Sequence, residues 1–333
     1  MVREKWRAYV VKQIKKSIKN FCLIFIDIIL FIFIYPIGLV LRFLREQGIS
    51  KFPHCRRVFM QVGVFPIMDH YYEPLIDSQK LLDPLDRDRA LPGINWNVDE
   101  QLSILQSFHF NEEFRDVPRL KVNQDDFFIE NGMFESGDAE YFYNLIRLKK
   151  PSKIFEIGSG FSTLMARKAI KKNQDENLDY QCKHVCVEPY EAPWLEKTGV
   201  TVIRQKVEKL GLEFFGELGK GDILFIDSSH IIRPQGDVLF EFLELLPLLK
   251  SGVIVHIHDI YSPKDYSKEV LIDDMRFWNE QYLLEAFLTC NLDWKIIGAI
   301  NFLHHHYFEQ LQNKCPFLIR NREPASFYIE KIR

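Results

Sequence analysis

The chain lacks most of the signals that settle a protein's class at a glance. Its six cysteines, at 22, 55, 182, 186, 290 and 315, form no CxxC pair, and no Cys/His array completes a metal site. They read as free, buried thiols of a reducing compartment. Neither sign of charge dominates. With 43 Lys and Arg against 46 Asp and Glu the net charge is −3, so nothing global points to nucleic acid as partner. Low-complexity tracts and internal repeats are missing as well. What remains is an ordinary globular composition, 47% hydrophobic and 27% charged, in 333 residues. That length suits one large domain with an extension, or two domains.

The charge is unevenly spread. Residues 1–20 hold Arg3, Lys5, Arg7, Lys12, Lys15, Lys16 and Lys19 against the single acid Glu4. Between the lysines, Trp6, Val10, Ile14, Ile18 and Phe21 recur at helical spacing, as in a basic amphipathic helix at a lipid surface. Residues 21–41 (FCLIFIDIILFIFIYPIGLVL) carry only Asp27 as a charge. As a helix they span roughly 31 Å, about one hydrocarbon core. A cleaved signal peptide fits poorly, because no small-x-small site follows the apolar run. Arg42, Arg45, Lys51, Arg56 and Arg57 make the far flank basic too, which draws both ends toward the cytoplasm. Pro36 and Gly38 leave a re-entrant hairpin in competition with a simple span.

Residues 58–130 are irregular, aromatic and Pro-rich, with an amphipathic helix expected over 98–108. The aromatic residues Tyr71, Tyr72 and Trp96 of this section would either cap an acceptor pocket or simply pack. From residue 138 the pattern turns to alternating helix and strand. A helix over 138–148 precedes strands at 153–158, 184–188, 201–205, 222–227 and 252–259. Their runs (IFEIG, HVCVE, ILFID, VIVHIHD) are nearly continuous in apolar residues, as strands covered on both faces must be. This predicts a doubly wound, mostly parallel α/β sheet with right-handed crossovers. A helix over 275–289 and two strands at 294–300 and 326–332, paired antiparallel at one edge, complete a seven-stranded sheet.

Ligands on such sheets bind where the strands stop. The first stops at Glu156-Ile157-Gly158-Ser159-Gly160, where the glycines let the turn bend and a ligand approach the main chain. A nicotinamide fingerprint would place a third glycine at 163, but Thr163 stands there. The acid Glu156 would also repel a pyrophosphate, whereas it suits a cationic amino-acid moiety. The second strand stops at Glu188, placed to accept two hydrogen bonds from a ribose diol. The fourth and fifth stop at Asp227-Ser228-Ser229-His230 and His256-Ile257-His258-Asp259. Asp227, His230, His258 and Asp259 therefore meet on one sheet edge, where they could hold a divalent cation or supply a general base. His256, one pleat below, reads as a core residue. His304-His305-His306 resembles a metal motif, but on an extended chain its members would alternate faces.

On these residues the chain resembles a class I S-adenosylmethionine-dependent methyltransferase, with E-x-G-x-G after strand one and acids ending strands two, four and five. More narrowly it is similar to a bacterial group carrying HYYEPL, LPGINWN, EIGSGFS, LFIDSSH and VHIHDI, linked to surface-polysaccharide or secondary-metabolite genes. The resemblance covers roughly residues 58–333 and implies a cofactor-binding domain over 131–333 behind an extension or acceptor cap over 46–130, while the basic helix over 1–20 and the membrane segment over 21–45 lie outside it. It assigns Glu156, Gly158, Ser159 and Gly160 to the methionine part of the cofactor, Glu188 to its ribose, and Asp227 to the same pocket. Asp227 and Asp259 fall where magnesium-dependent catechol-type and macrolide-sugar O-methyltransferases place metal ligands. The acid or amide that often follows is Ile260 here. His230, then His258, is the expected base, with Asp227 beside them. The acceptor implied is a hydroxyl, on a glycan or lipid-linked sugar, reached by a catalytic domain on the cytoplasmic side of a membrane contacted through residues 1–45. The rival readings are an NAD-dependent oxidoreductase on a similar sheet and a non-catalytic membrane-bound scaffold.

Overall fold

The computed structural model describes residues 2–123, 126–190 and 192–333, the side chains of 2–15, 17 and 18 excepted. The amphipathic face expected of Trp6, Val10, Ile14 and Ile18 lies outside the described residues. Two compact units result, one through Lys80 and one from Leu81 to Arg333.

The first unit is built on α1 (Val2–Gln47), in which the basic and apolar stretches form one continuous helix. Pro36 lies inside it without breaking it, so the hairpin alternative does not form. A proline removes a single hydrogen bond from the ladder, and here the remaining bonds carry the helix through. Lys19–Gln47 is long and apolar enough to cross a bilayer, and its most apolar window is unburied. A 3₁₀ turn leads to α2 (Pro53–Val62), which starts on Pro53 and stops at Gly63 in the left-handed region, φ 75°. Within this unit Arg45 pairs with Glu73 and lies over the Phe65 ring, 4.6 Å from its centre.

The second unit is a seven-stranded sheet with the order β3-β2-β1-β4-β5-β7-β6. Its strands are β1 (Lys153–Ile157), β2 (Lys183–Val187), β3 (Thr201–Ile203), β4 (Ile223–Ile226), β5 (Ile254–Ile257), β6 (Trp294–Ala299) and β7 (Phe327–Lys331). The first five are parallel, and β7 runs antiparallel between β5 and β6. Alternation along the strands feeds two cores. Ile154, Ile223, Phe225 and Ile254 face α4 (Asp138–Lys149) and α5 (Phe161–Glu176). Phe155, Leu224, Val255 and Ile257 face the other layer, α6 (Leu212–Phe215), α7 (Asp237–Phe240), α8 (Leu246–Leu248) and α9 (Glu280–Leu288). A π-helical turn, Glu241–Leu245, joins α7 to α8. Each fully buried Leu, Ile or Phe contributes roughly 1.5–3 kcal/mol, which is why the interiors of the parallel strands carry few buried polar residues, Glu156, His184 and His256.

Residues 81–130 pack on this sheet unit. Its α3 (Val98–Gln106) ends two residues earlier than the apolar spacing predicts. Phe108, Phe114 and Phe127 join the first core. Trp96 stacks on Phe302 at 5.0 Å, so its ring serves packing. Two further expectations differ from the structure. Residues 275–279 stay outside α9, because Met275 takes a left-handed φ of 52° and Asn279 an extended one of −149°. The histidine run is helical, in α10 (Ile300–His306), and α11 (Phe308–Gln312) follows. Buried Ile300 and Leu303 sit three residues apart, the spacing of one helix face, which overrides the extended reading.

A buried cation ties the 81–130 segment to the first layer. Arg147 of α4 is fully buried and donates to Glu113 (2.8 Å), to Glu176 and to Asn173 of α5. Arg147→Ala is expected to lower the unfolding free energy by about 2–3 kcal/mol, because it removes a fully buried side chain and leaves the buried Asn173 amide oxygen without its donor. Urea denaturation reads this out, and a loss under about 1 kcal/mol would make the cluster a passive one.

Candidate active site

Strand order reverses between β1 and β4, and the crevice at their carboxyl ends is where such sheets bind ligands. Gly158, at φ 78°, turns the chain there. A Cβ on it would lie 1.9 Å from the carbonyl oxygen of Asp227, so the β1 turn and the β4 end touch through bare backbone. The turn leads into α5, whose first residues serve Glu156. Ser162 and Thr163 hydroxyls donate to that carboxylate at 3.0 and 2.7 Å, and His184 of β2 pairs with its other oxygen. Glu156 is thus sealed inside the protein and braces the turn from behind. Thr163 also accepts the Gly160 N–H at 3.3 Å, a role no third glycine could fill.

Glu188, at the end of β2, accepts the Ser159 N–H at 3.3 Å and the Tyr190 N–H at 2.9 Å. Its carboxylate borders a cavity of about 350 Å³ together with Gly158, Ser159, Val207, Asp227 and Arg233. Of the residues expected around a cofactor, Gly158, Ser159, Glu188 and Asp227 line this space. Gly160 adjoins the turn, and a Cβ there would meet no atom within 4 Å.

On the other side of Asp227 lies a larger cavity, about 1080 Å³, bordered by Asp138, Asp227, His230, His258, Asp259 and Trp278. The two cavities share Met133, Asp227, Ser228 and Ser229 as a common wall. The four strand-end residues expected to meet do so. His230 Nε2 is 3.4 Å from both Asp227 and Asp259, and His258 Nδ1 is 3.7 Å from both. His258 Nε2 stands 3.7 Å from Asp138, and neither of its ring nitrogens has a hydrogen-bond partner. Ligand atoms of Asp227, His230 and Asp259 all lie within 4.8 Å of one another. His230 and Asp259 both adopt left-handed backbone, φ 59° and 57°. Non-glycine residues do so at a cost, and such strain gathers at functional sites.

The electrostatics follow from this crowding. Burial works against charge on His258, yet Asp259, Asp227 and Asp138 outweigh it and raise its pKa well above the usual imidazole value. Burial likewise opposes the charged form of His230, and Asp227, Glu280 and Asp259 overcome it. For Asp227 burial would raise the pKa, but His258 and His230 hold it far below the carboxylate range. Asp259 moves upward, mainly through burial, with Asp227 and Asp138 adding to it against the two imidazoles. His256 is fully buried below, stacked on Tyr328 at 4.2 Å, with its pKa lowered by burial and by His258.

The run Asn279-Glu280-Gln281-Tyr282 is expected from sequence to open a helix that shapes the acceptor pocket, but the contact of Glu280 with His230, at 2.8 Å, carries no sequence signal. Other contributors have no signal at all. Asp138, at the start of α4, accepts the Ala325 and Ser326 N–H groups and presents the same carboxylate to the cavity. His184 lies beside Glu156 only through the β1–β2 pairing, in which Ile154 faces His184. Met133 and Trp278 come from segments without regular structure, where pattern carries no signal.

Residues 155–260 match the model of a methyltransferase domain family. A protein of Archaeoglobus fulgidus is 28% identical over 189 residues, covering 53% of this chain and 81% of that one. Among solved structures, the O-methyltransferase TomG of Streptomyces achromogenes, in complex with S-adenosylmethionine, aligns over 69% of this chain and 90% of its own. The identity is 15% and the TM-score 0.36. A Bacillus cereus O-methyltransferase bound to S-adenosylhomocysteine aligns over 71% and 91%, at 12% identity and a TM-score of 0.33. The family match spans β1 to the end of β5, the stretch that holds Glu156, the Gly158–Gly160 turn, Glu188, Asp227 and Asp259. Over residues 155–260, then, the chain matches a methyltransferase domain, and the strand-end acids and the glycine turn all lie inside that match.

Proposed function

We propose that the protein transfers the methyl group of S-adenosylmethionine to a hydroxyl of a sugar or other polar acceptor at a membrane surface. The observation that carries this reading is the common wall of the two cavities, at Asp227, Ser228 and Ser229, with the acid–imidazole cluster on its acceptor side. The cofactor brings a methyl already activated on its sulfonium, which leaves placement and removal of the acceptor proton to the protein. Glu188 is placed to accept both ribose hydroxyls. The Gly158–Ser159–Gly160 turn leaves main chain open beside the methionine part, and Glu156 supports it indirectly through Ser162 and Thr163.

Asp227 and Asp259 supply the oxygen donors that magnesium prefers, and the unpartnered nitrogens of His258 between them fit a site completed by a ligand. A cation held there would orient two neighbouring hydroxyls and lower the pKa of one. His230 Nε2, 3.4 Å from both Asp227 and Asp259, would take the hydroxyl proton. His258, enclosed by three acids, is the second candidate for that task. Trp278 on the acceptor wall offers an aromatic face of the kind sugars stack on. The domain in this reading extends from about residue 131 to the C-terminus, with 46–130 as an extension, 1–20 a basic helix and 21–45 its membrane segment.

Three outcomes are expected. Glu188→Ala should weaken cofactor binding by about tenfold or more, while His230→Ala should leave that affinity unchanged and cut kcat by about 10²–10⁴. Isothermal titration with single-turnover kinetics separates the two, and unchanged affinity in Glu188→Ala sinks the ribose assignment. Labelled methyl transfer to total lipid and polysaccharide extracts should depend on magnesium and on the acceptor hydroxyl. Transfer undiminished by EDTA removes the cation. An N-terminal epitope tag should remain on protein recovered from carbonate-washed membranes with its catalytic domain facing the cytoplasm, whereas a tag lost on export would make α1 a signal sequence.

A further inference from the structure

Glu280 and Glu241 are the two acids buried beside this cluster that the chemistry above does not use. An ionised carboxylate removed from water is costly unless something fixed answers it. For Glu241 the answer is Ser228, whose hydroxyl donates to it at 3.0 Å. For Glu280 it is His230, with Nδ1 2.8 Å from Oε2.

Glu280 opens α9, where an acid would ordinarily serve the exposed amides of its own helix. Those amides are engaged elsewhere. The N–H groups of Asn279 and Glu280 both donate to the carbonyl oxygen of His230, at 2.9 and 3.2 Å. The helix start therefore grips His230 twice, its carbonyl through backbone and its ring through the side chain. Trp278, two residues before, packs its ring against the imidazole at 4.4 Å between centres. The Asn279 side chain accepts the Ile232 N–H at 2.6 Å, which fixes the chain just after His230. These contacts hold His230 in its left-handed conformation and leave its ring one orientation.

From this we infer that Glu280 is the positioning residue of the transfer site. It takes the Nδ1–H of His230 and so turns Nε2 toward Asp227 and Asp259, where the acceptor hydroxyl would stand. The inference rests on the reading of His230 as the proton acceptor. It is the logic by which a fixed carboxylate selects the tautomer and ring orientation of a functional imidazole. The backbone bonds to the His230 carbonyl survive any change of the Glu280 side chain, so its loss should disorder the ring more than the loop.

The test uses the full-length protein in native-like membranes. Glu280→Ala should lower kcat about 10- to 100-fold with KM for the cofactor unchanged. Glu280→Gln, which keeps an oxygen where Nδ1–H can reach it, should recover most of the loss. In a His230→Ala background, Glu280→Ala should cost nothing further, because it acts only through the ring. Should the alanine variant fail to fold, nitrogen-15 spectra of the unaltered protein still decide, since His230 Nδ1 must carry a hydrogen-bonded proton. A bare Nδ1, a full second loss in the double variant, or normal kcat in Glu280→Ala beside an inactive His230→Ala overturns the inference alone. Normal kcat in His230→Ala overturns the base assignment, and the role of Glu280 with it.

Discussion

Everything at the site depends on one backbone contact, the approach of the Gly158 turn to the carbonyl of Asp227. No side chain fits between them, since even a Cβ would lie 1.9 Å from that oxygen. The contact lets the ends of β1 and β4 close at the point where strand order reverses. As a result one residue, Asp227, borders the smaller cavity on one side and the larger cavity on the other. A wider crevice would set the two cavities apart, and in-line transfer needs reacting atoms within about 3–3.5 Å of each other. In the proposed reaction the glycine would therefore be a condition of the chemistry rather than an accessory to binding.

Around that contact the protein concentrates charge of both signs. Carboxylate oxygens of Asp138, Asp227, Asp259 and Glu280 stand 2.8 to 3.7 Å from the ring nitrogens of two imidazoles. Burial alone would disfavour the charged form of each, but mutual pairing draws the pKa of both imidazoles upward and that of Asp227 downward. The left-handed backbone at His230 and Asp259 shows that the loops are bent to bring these groups together. A cluster balanced in this way changes its proton occupancy when an acid is given another partner, which suits a site that must accept a proton on demand.

Most of the sheet was legible in the sequence because its signal is periodic and dense. The runs at β1, β2, β4 and β5 are apolar on both faces, and the antiparallel pair at the edge followed from their spacing. The strand-end acids were legible for the same reason, since finding a strand also finds where it stops. Glu156 shows where that reasoning thins. Its place in the E-x-G-x-G motif was plain, but that it turns away from the cavity toward His184 depends on strand parity and on pairing across 28 residues. Glu280 was less visible still, because its partner lies 50 residues away on another layer. The histidine run differed in its local structure: the extended reading gives way to a helix, because Ile300 and Leu303 decide it by burial.

The two halves of the site are built by different means. The smaller cavity is walled by the ends of β1, β2 and β4, the segment after β3 and Met133, so most of its geometry is set by the sheet. The larger cavity draws on more of the chain: residues 132–138, the loops after β4 and β5, the stretch 267–278 that leads to α9, and residues 319–325 before β7. Only Met133, Asp227, Ser228 and Ser229 belong to both. Changes to Trp278 or to the loop before α9 can therefore reshape what is accepted without moving Glu188 or the glycine turn. Changes at Asp227 alter both halves at once. The limit on such reshaping is His230, because the same helix start that carries the variable wall also holds the imidazole, through two backbone bonds and one carboxylate.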